Sequence, residues 1–342
     1  MDMTEARTAV QQGRLSLLVR QIRFEAVGIH SYELVDPAGA ELPPFTAGAH
    51  IDVHLPNGVI RQYSLCNAPS ERHRYVIAVL RDEHGRGGSK ALHERLSVQD
   101  VATFSHPRNN FSLGTPAGKV ILLAGGIGVT PLKSMAHALE EAAIPFELHY
   151  CARNVGYAAF AAELAGPWQH GVSRLYFDHG NPAEGLDIAA LLRTLEPGAH
   201  LFCCGPAGFM QACASAAAHW PAGSVHFEHF KAPESASPAS GPASDPTSGP
   251  GSGTAPGSFA VKIASSGKVI DVAAGVSIAD ALNAAGVRIE TSCQSGLCGT
   301  CKVRYLEGEV DHQDMILDDA EQQHYLTACV SRAKSALLVL DL

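Results

Sequence analysis

Apolar and polar positions alternate in short runs along the first third of the chain. Leu15-Ser-Leu-Leu-Val-Arg-Gln-Ile22, His50-Ile-Asp-Val-His-Leu55 and Tyr75-Val-Ile-Ala-Val-Leu80 read as strands, with turn signals such as Pro56-Asn57-Gly58 between them. Short strands punctuated by Gly and Pro predict an antiparallel sandwich or barrel. From Lys119 the period changes. Val120-Ile-Leu-Leu-Ala124 reads as a buried strand, followed by a helix over Pro131 to Ala143 with Thr130 as N-cap and Pro131 at the first helical position. Strands at Phe146 to Tyr150, Arg174 to Phe177, His200 to Cys203 and Val225 to Phe227 then alternate with helices near Phe160 to Leu164, Asp187 to Leu195 and Phe209 to His219. That alternation predicts a doubly wound α/β unit with a parallel sheet.

The pattern then stops. Of the 26 residues from Ala232 to Gly257, 17 are Pro, Ser or Gly, none is aromatic, and no apolar period survives. Such a segment reads as a flexible tether, spanning roughly 28 Å root-mean-square as a random coil. After it, Phe259 to Ile263 and Lys268 to Val272 predict a hairpin. A helix follows from Ile278 to Ala285, with Ser277 as N-cap and Gly286 as its stop, and Ala336 to Leu340 is a last apolar strand. A small mixed sheet grasping one helix, an α+β β-grasp, is the expected form. The expected division is 1–116 (β-barrel), 117–231 (α/β nucleotide domain), 232–257 (linker) and 258–342 (third module).

Composition narrows the class. The chain has 342 residues, 46% hydrophobic and 17% charged, with a formal net charge of −9. A negative chain argues against nucleic acid as the main partner. The longest apolar run, around Val120 to Val129, is about half of what a bilayer crossing needs. The first residues, Met-Asp-Met-Thr-Glu-Ala-Arg, hold no hydrophobic signal region. Nine cysteines without a secretion signal point to a reducing compartment, so a cytoplasmic location is expected, with no membrane partner.

Three of those cysteines fall within nine residues: Cys293, Cys298 and Cys301, with Cys329 following. A four-residue gap, a two-residue gap and a distant fourth cysteine is the plant-type [2Fe–2S] spacing. Four thiolates must converge on two bridged irons, and Gly296 and Gly299 let backbone amides approach the sulfurs. Covalent haem attachment needs a histidine directly after the second cysteine of the close pair, where Lys302 stands. A zinc site would usually show two short pairs, and a redox dithiol needs no third or fourth cysteine. The module from the hairpin to the cysteine loop resembles a plant-type ferredoxin. Among the other cysteines, Cys151, Cys203 and Cys213 read as small buried hydrophobes.

Arg61-Gln-Tyr63-Ser64 ends a strand in the first third. An arginine can bind phosphate, a tyrosine can pack on an isoalloxazine, and a serine can hydrogen-bond flavin N5, although four residues alone describe an ordinary amphipathic strand equally well. Gly85-Arg-Gly87-Gly88-Ser89-Lys90 opens a helix, and free N–H groups at a helix start beside glycines make a phosphate cradle. Together the two resemble the flavin domain of the ferredoxin–NADP⁺ reductase superfamily. Ala124-Gly-Gly126-Ile-Gly128-Val-Thr130-Pro131 is not the Rossmann fingerprint, because Pro131 occupies the place of the third glycine and no acidic residue closes the second strand. Paired with Cys204-Gly205-Pro206, which alone could be a strand-ending turn, it resembles the pyridine-nucleotide domain of the same superfamily.

Flavin domain, nucleotide domain and C-terminal ferredoxin, in that order, resemble the phthalate dioxygenase reductase family, which includes vanillate demethylase reductases. Pro107-Arg-Asn-Asn-Phe111 and Val225-His-Phe-Glu228-His-Phe230 support the likeness. The resemblance implies an NADH-dependent oxidoreductase that passes electrons from NADH to FMN, to [2Fe–2S] and on to a Rieske-type oxygenase. By position, Arg61, Gly87, Gly88 and Ser89 would meet the FMN phosphate, and Tyr63 and Ser64 its ring, with Phe230 beside it. Gly126 to Thr130, including Gly128, would meet the pyrophosphate. Cys204 and Gly205 would meet the nicotinamide, so that Ser64 and Cys204 flank the reacting atoms. Arg153 would either face a 2′-phosphate or be a surface arginine. A haem monooxygenase or another hydroxylase is the alternative acceptor, and a redox-sensing or metal-binding adaptor the alternative without turnover.

Overall fold

A computed structural model describes residues 13–55, 59–85, 87–114, 116, 118–230 and 257–342. The Pro56-Asn57-Gly58 turn, Arg86 and the tether up to residue 256 lie outside the described residues. The chain divides into two compact units, Met1–His229 and Phe230–Leu342.

The first unit begins with six strands: β1 (Arg14–Ala26), β2 (Ile29–Val35), β3 (His50–His54), β4 (Ile60–Ser64), β5 (Tyr75–Leu80) and β6 (Val101–Ser105). They pair antiparallel in the order β4-β3-β6-β1-β2-β5. An isolated bridge from Leu65 to Ile77 joins the two ends of that order and closes the sheet on itself. Closure leaves no open edge to recruit another chain. Helix α1 (Gly88–Arg95) packs Ala91 and Leu92 into a core with Leu17, Tyr32, Ile51, Val53 and Phe104.

The parallel sheet follows. Its strands are β7 (Val120–Gly125), β8 (Phe146–Ala152), β9 (Gly171–Phe177), β10 (His200–Cys204) and β11 (Val225–Glu228). Helices α2 (Val129–Glu141), α3 (Ala161–Leu164), α4 (Ile188–Leu192) and α5 (Ala207–Ala216) lie between them in sequence. The order is β11-β10-β7-β8-β9, all parallel. Strand order therefore reverses between β7 and β10, and the crevice outside the strand ends at such a switch point is where doubly wound sheets bind ligands.

The start of α2 differs from the sequence expectation. A 3₁₀ turn at Gly126–Gly128 runs straight into the helix, which begins at Val129 with Gly128 as its N-cap. Thr130 lies inside the first turn and donates its hydroxyl back to the Ile127 carbonyl at 3.0 Å. Pro131 is tolerated at the third helical position because N–H groups of the first turn have no intrahelical acceptor.

Barrel and parallel sheet share one apolar core. Ala26, Ile29, Ala47, Cys66, Ala78 and Phe111 of the barrel half are buried together with Leu122, Val129, Leu132, Met135 and Phe202. Phe111 meets Phe202 edge-on at 5.6 Å. Gly48 is indispensable at this seam: its φ is +90°, and a Cβ would lie 1.9 Å from the Phe111 carbonyl oxygen. The Pro107–Phe111 segment is tied down as well, through Arg108 Nη2 donating to both Asp52 carboxylate oxygens at 2.8 Å and Asn109 donating to Thr46 and Ala47.

The second unit holds β12 (Phe259–Ile263), β13 (Val269–Val272), β14 (Lys302–Glu307), β15 (Val310–Asp311), β16 (Tyr325–Thr327), β17 (Arg332–Ala333) and β18 (Leu337–Leu340). Five of them form a mixed sheet, β13-β12-β18-β14-β16, while β15 and β17 form a separate pair. Helix α6 (Ile278–Ala284) starts at Ser277, whose hydroxyl accepts from the Asp280 amide, and buries Ile278 and Leu282 against the sheet. A single turn, α7 (Asp319–Gln322), carries a full capping box between Asp318 and Glu321. Among the described residues no helix is long and apolar enough to cross a membrane.

Candidate functional site

The residues singled out in the barrel lie where β4 meets the start of α1. Alternation along β4 is set by its pairing with β3, which puts Val53 opposite Arg61, Ile51 opposite Tyr63 and His50 opposite Ser64. Ser64 is buried. The Arg61 side chain lies over Gly88: a Cβ added there would sit 2.5 Å from Arg61 Nε and 2.6 Å from Cγ. Only glycine lets the guanidinium stem cross the helix start so closely. Gly87 precedes it with φ +80°, and nothing stands within 4 Å of where its Cβ would be. The helix has no side-chain cap, so its first amides keep their hydrogen-bonding capacity for an acceptor from outside the chain. Ser89 accepts the Asp82 amide at 3.0 Å, fixing the preceding turn to the helix. A cationic stem, uncapped amides and open space above a left-handed glycine fit a flavin phosphate.

The second group gathers at the switch point. A Cβ on Gly128 would lie 2.2 Å from the Cys204 carbonyl oxygen and 2.7 Å from the Gly205 nitrogen. One on Gly205 would lie 3.0 Å from the Gly125 Cα. The two glycine-containing turns therefore touch, backbone on backbone, at the ends of adjacent parallel strands. Gly126, with φ +54°, faces open space. Helix α2 also lacks a side-chain cap, so backbone amides and an open glycine form a cradle suited to a pyrophosphate. Cys204 is fully buried, and burial with the nearby Glu228 carboxyl drives its thiol far above the ordinary range. Arg153 follows β8, exposed, with its guanidinium 5.7 Å from the Tyr157 ring centre.

Two residues here escaped the sequence reading of the site. Glu228 ends β11 in register with Cys204. Burial pushes its carboxyl up to about 8, and its Oε2 has no hydrogen-bond partner among the described residues. Lys133, on α2, is buried to 5% exposure and reaches the Cys66 carbonyl at 3.0 Å. A charged residue interrupting an apolar strand or helix face was the available signal; the partner lies too far along the chain to be read from it.

In the second unit the loop after α6 wraps the three close cysteines. Amides of Ser295 and Leu297 point at Cys293 Sγ, each at 3.4 Å, and that of Thr300 at Cys298 Sγ at 3.5 Å. Gly296 donates to the Cys329 sulfur. Gly296 has φ +70°, and a Cβ would meet Val330 Cγ2 at 2.7 Å and Asp314 Cα at 2.9 Å. Cys293 neighbours Cys298, and Cys301 neighbours Cys329, with Cys329 also within reach of Cys293. Among the described residues no three ligand-type side chains close around a single ion. Two sulfur pairs joined side by side, with amides aimed at them, fit a two-iron cluster, whose positive charge permits four thiolates in one buried loop.

Phe230 opens the second unit and is 43% exposed.

A closed antiparallel barrel, a doubly wound parallel sheet and a cysteine-loop β-grasp sheet define an iron–sulfur electron-transfer reductase. Residues 261–334 match the family described as the 2Fe-2S iron-sulfur cluster binding domain. The chain is 53% identical to the tert-butanol monooxygenase/tert-amyl alcohol desaturase reductase subunit of Aquincola tertiaricarbonis, over 96% of each chain. It is 42% identical to the phthalate dioxygenase reductase of Burkholderia cepacia, over 98% of this chain and 99% of that one. A solved phthalate dioxygenase reductase structure superposes with a TM-score of 0.73 at 41% identity, covering 98% of this chain and 99% of that one. An intact type IV self-sufficient cytochrome P450 monooxygenase gives 0.78 at 34% identity, covering 96% of this chain but 41% of the longer one. The chain belongs to the phthalate dioxygenase reductase family. It is an oxidoreductase of the kind that serves as the electron-transfer reductase component of oxygenase systems.

Proposed function

We propose that this protein is the NADH-dependent reductase of a Rieske-type oxygenase system, working in the cytoplasm. The bound cofactors would supply the chemistry: hydride transfer from NADH to FMN, then single electrons to [2Fe–2S] and onward to the oxygenase. The chain supplies position and exclusion of water. Arg61, Gly87, Gly88 and Ser89 hold the flavin phosphate. Tyr63 packs on the ring and Ser64 hydrogen-bonds the reacting edge. Gly126, Gly128 and Thr130 hold the pyrophosphate, Cys204 and Gly205 border the nicotinamide, and Arg153 faces the position of a 2′-phosphate. Cys293, Cys298, Cys301 and Cys329 ligate the cluster. The working divisions are a flavin domain over 1–116, a nucleotide domain over 117–231, a linker over 232–257 and a ferredoxin domain over 258–342.

The observation that carries this reading is the backbone contact of Gly128 with Cys204 at the switch point. It belongs to the same compact unit as the Arg61–Gly88 phosphate cradle. No side chain of either group is arranged as a nucleophile, so the work is placing one cofactor against another. Relatives are reductases for phthalate, vanillate and tert-butanol oxygenases. Substrate choice accordingly belongs to the oxygenase and not to this chain.

The purified protein should show flavin absorption near 450 nm with cluster shoulders, bleached by NADH. A colourless, zinc-containing protein sinks the proposal. Likeness to the P450 chain favours one second reading, delivery to a haem monooxygenase. Oxygen-dependent turnover reconstituted with a Rieske oxygenase, against a cytochrome P450 in the same assay, decides between the acceptors.

A further inference from the structure

Lys133 is the one lysine in the core of the first unit's described residues. Burying an ammonium is unfavourable unless it is paired and hydrogen-bonded, so its partners show what it is for. Its Nζ donates to the Cys66 carbonyl at 3.0 Å, pairs with Glu163 Oε1 at 2.7 Å and lies 3.4 Å from His137 Nε2. His137 in turn meets the same Glu163 oxygen at 3.1 Å. The Phe160 ring centre is 5.0 Å away. Three of these partners, His137, Phe160 and Glu163, belong to the parallel-sheet half. The fourth, Cys66, belongs to the barrel half, two residues beyond Ser64.

The two ends of this link matter. Lys133 sits one turn into α2, whose start presses Gly128 on the Cys204 carbonyl. Cys66 is fully buried; its amide donates to the Val76 carbonyl at 2.9 Å, and the next residue, Asn67, accepts the Val76 amide at 2.9 Å. The segment after Ser64 is thus pinned to β5 on one side and to α2 on the other. Cys66 lies in the apolar core shared by barrel and sheet, and apolar contact is non-directional, so it resists separation better than sliding. The Lys133–carbonyl bond has a direction.

We infer that Lys133 is a positioning residue for hydride transfer. Held by Glu163 and His137, it bonds the Cys66 carbonyl and so fixes the strand end bearing Ser64 against the helix bearing the nucleotide turn. This rests on the reading of the site given under Proposed function.

The test uses the full-length holoprotein, Lys133→Met, Lys133→Arg and Glu163→Gln, with anaerobic stopped-flow reduction by NADH. An ångström of misplacement in a reacting pair can cost about 100-fold, so Lys133→Met should lower the limiting rate of flavin reduction by about 10-fold or more. The NADH dissociation constant should stay within about 3-fold, since the phosphate cradles are untouched. Lys133→Arg, still able to donate to the carbonyl, should recover part of the rate. Independently of turnover, hydrogen–deuterium exchange over residues 64–67 should quicken in Lys133→Met without nucleotide present. A cooperatively melting Lys133→Met with unchanged limiting rate and unchanged exchange overturns the inference. If that variant does not fold, Glu163→Gln carries the same comparison, with smaller changes in the same direction expected and unchanged values overturning it. A wild-type protein that NADH fails to reduce brings down the functional reading instead, and the exchange comparison then decides on the clamp alone.

Discussion

Cys204 and Glu228 stand in register on the adjacent parallel strands β10 and β11, a fully buried thiol beside a carboxyl that burial has pushed up to about 8. Burial favours the neutral form of both groups.

Glu228 makes stability depend on pH. Unfolded, its carboxyl titrates near the ordinary 4.5; folded, near 8. Between those values the folded protein holds a proton that the unfolded chain has lost, so this contribution is fully present below about 4.5 and declines as pH rises through 8. Glu228→Gln removes that slope. Relative to wild type it should be more stable at pH 8 than at pH 5, by up to about 3–4 kcal/mol. Melting curves of both proteins across pH 5–9 check this; parallel curves reject it.

Gly128→Ala tests the contact between the two turns. Its Cβ would fall 2.2 Å from the Cys204 carbonyl oxygen, backbone that cannot swing aside. The ends of β7 and β10 must part, at a cost of about 1–3 kcal/mol. NADH should bind more weakly while flavin content is kept. Equal NADH affinity in the variant contradicts the placement of the nucleotide.

Much of this was legible along the chain, for reasons that differ by residue. The iron–sulfur domain reads directly because plant-type [2Fe–2S] ligation calls for cysteines at fixed short spacings, and Cys293, Cys298 and Cys301 stand at such spacings. Strands such as Tyr75–Leu80 and the alternation after Val120 read directly because burial writes a period into the sequence. The start of α2 did not, since Thr130 and Pro131 resemble a cap and first position in isolation, while the Gly126–Gly128 turn moves the helix start forward. Nor did the pairing of Lys133 with Cys66, or of Glu228 with Cys204. These are set by strand order and by a core shared between barrel and sheet, which no local pattern encodes.

Cys329→Ser should remove the cluster and its electron-paramagnetic signal. Cys329 is the proposed ligand farthest along the sequence, and it neighbours Cys301 and the Gly296 amide. Because the first unit has its own core, NADH-driven reduction of ferricyanide should persist at close to the wild-type rate. Loss of both activities would show that the two units do not function separately.

Arg61→Ala isolates the phosphate of the flavin from its ring. The guanidinium stem lies across Gly88 at the uncapped start of α1, so its charge stands where a phosphate would meet helix amides. Losing one charge-assisted contact there should weaken FMN binding by about 10- to 100-fold. Riboflavin has the same ring and no phosphate, and its affinity should be unaffected. Fluorescence titration of the flavin-free wild type and variant with both ligands gives four dissociation constants. The expected result is a wild-type preference for FMN that collapses in the variant. If the variant weakens both ligands alike, Arg61 supports the barrel rather than the phosphate, and the cradle must be assigned to the amides of Gly88 and Ser89 alone.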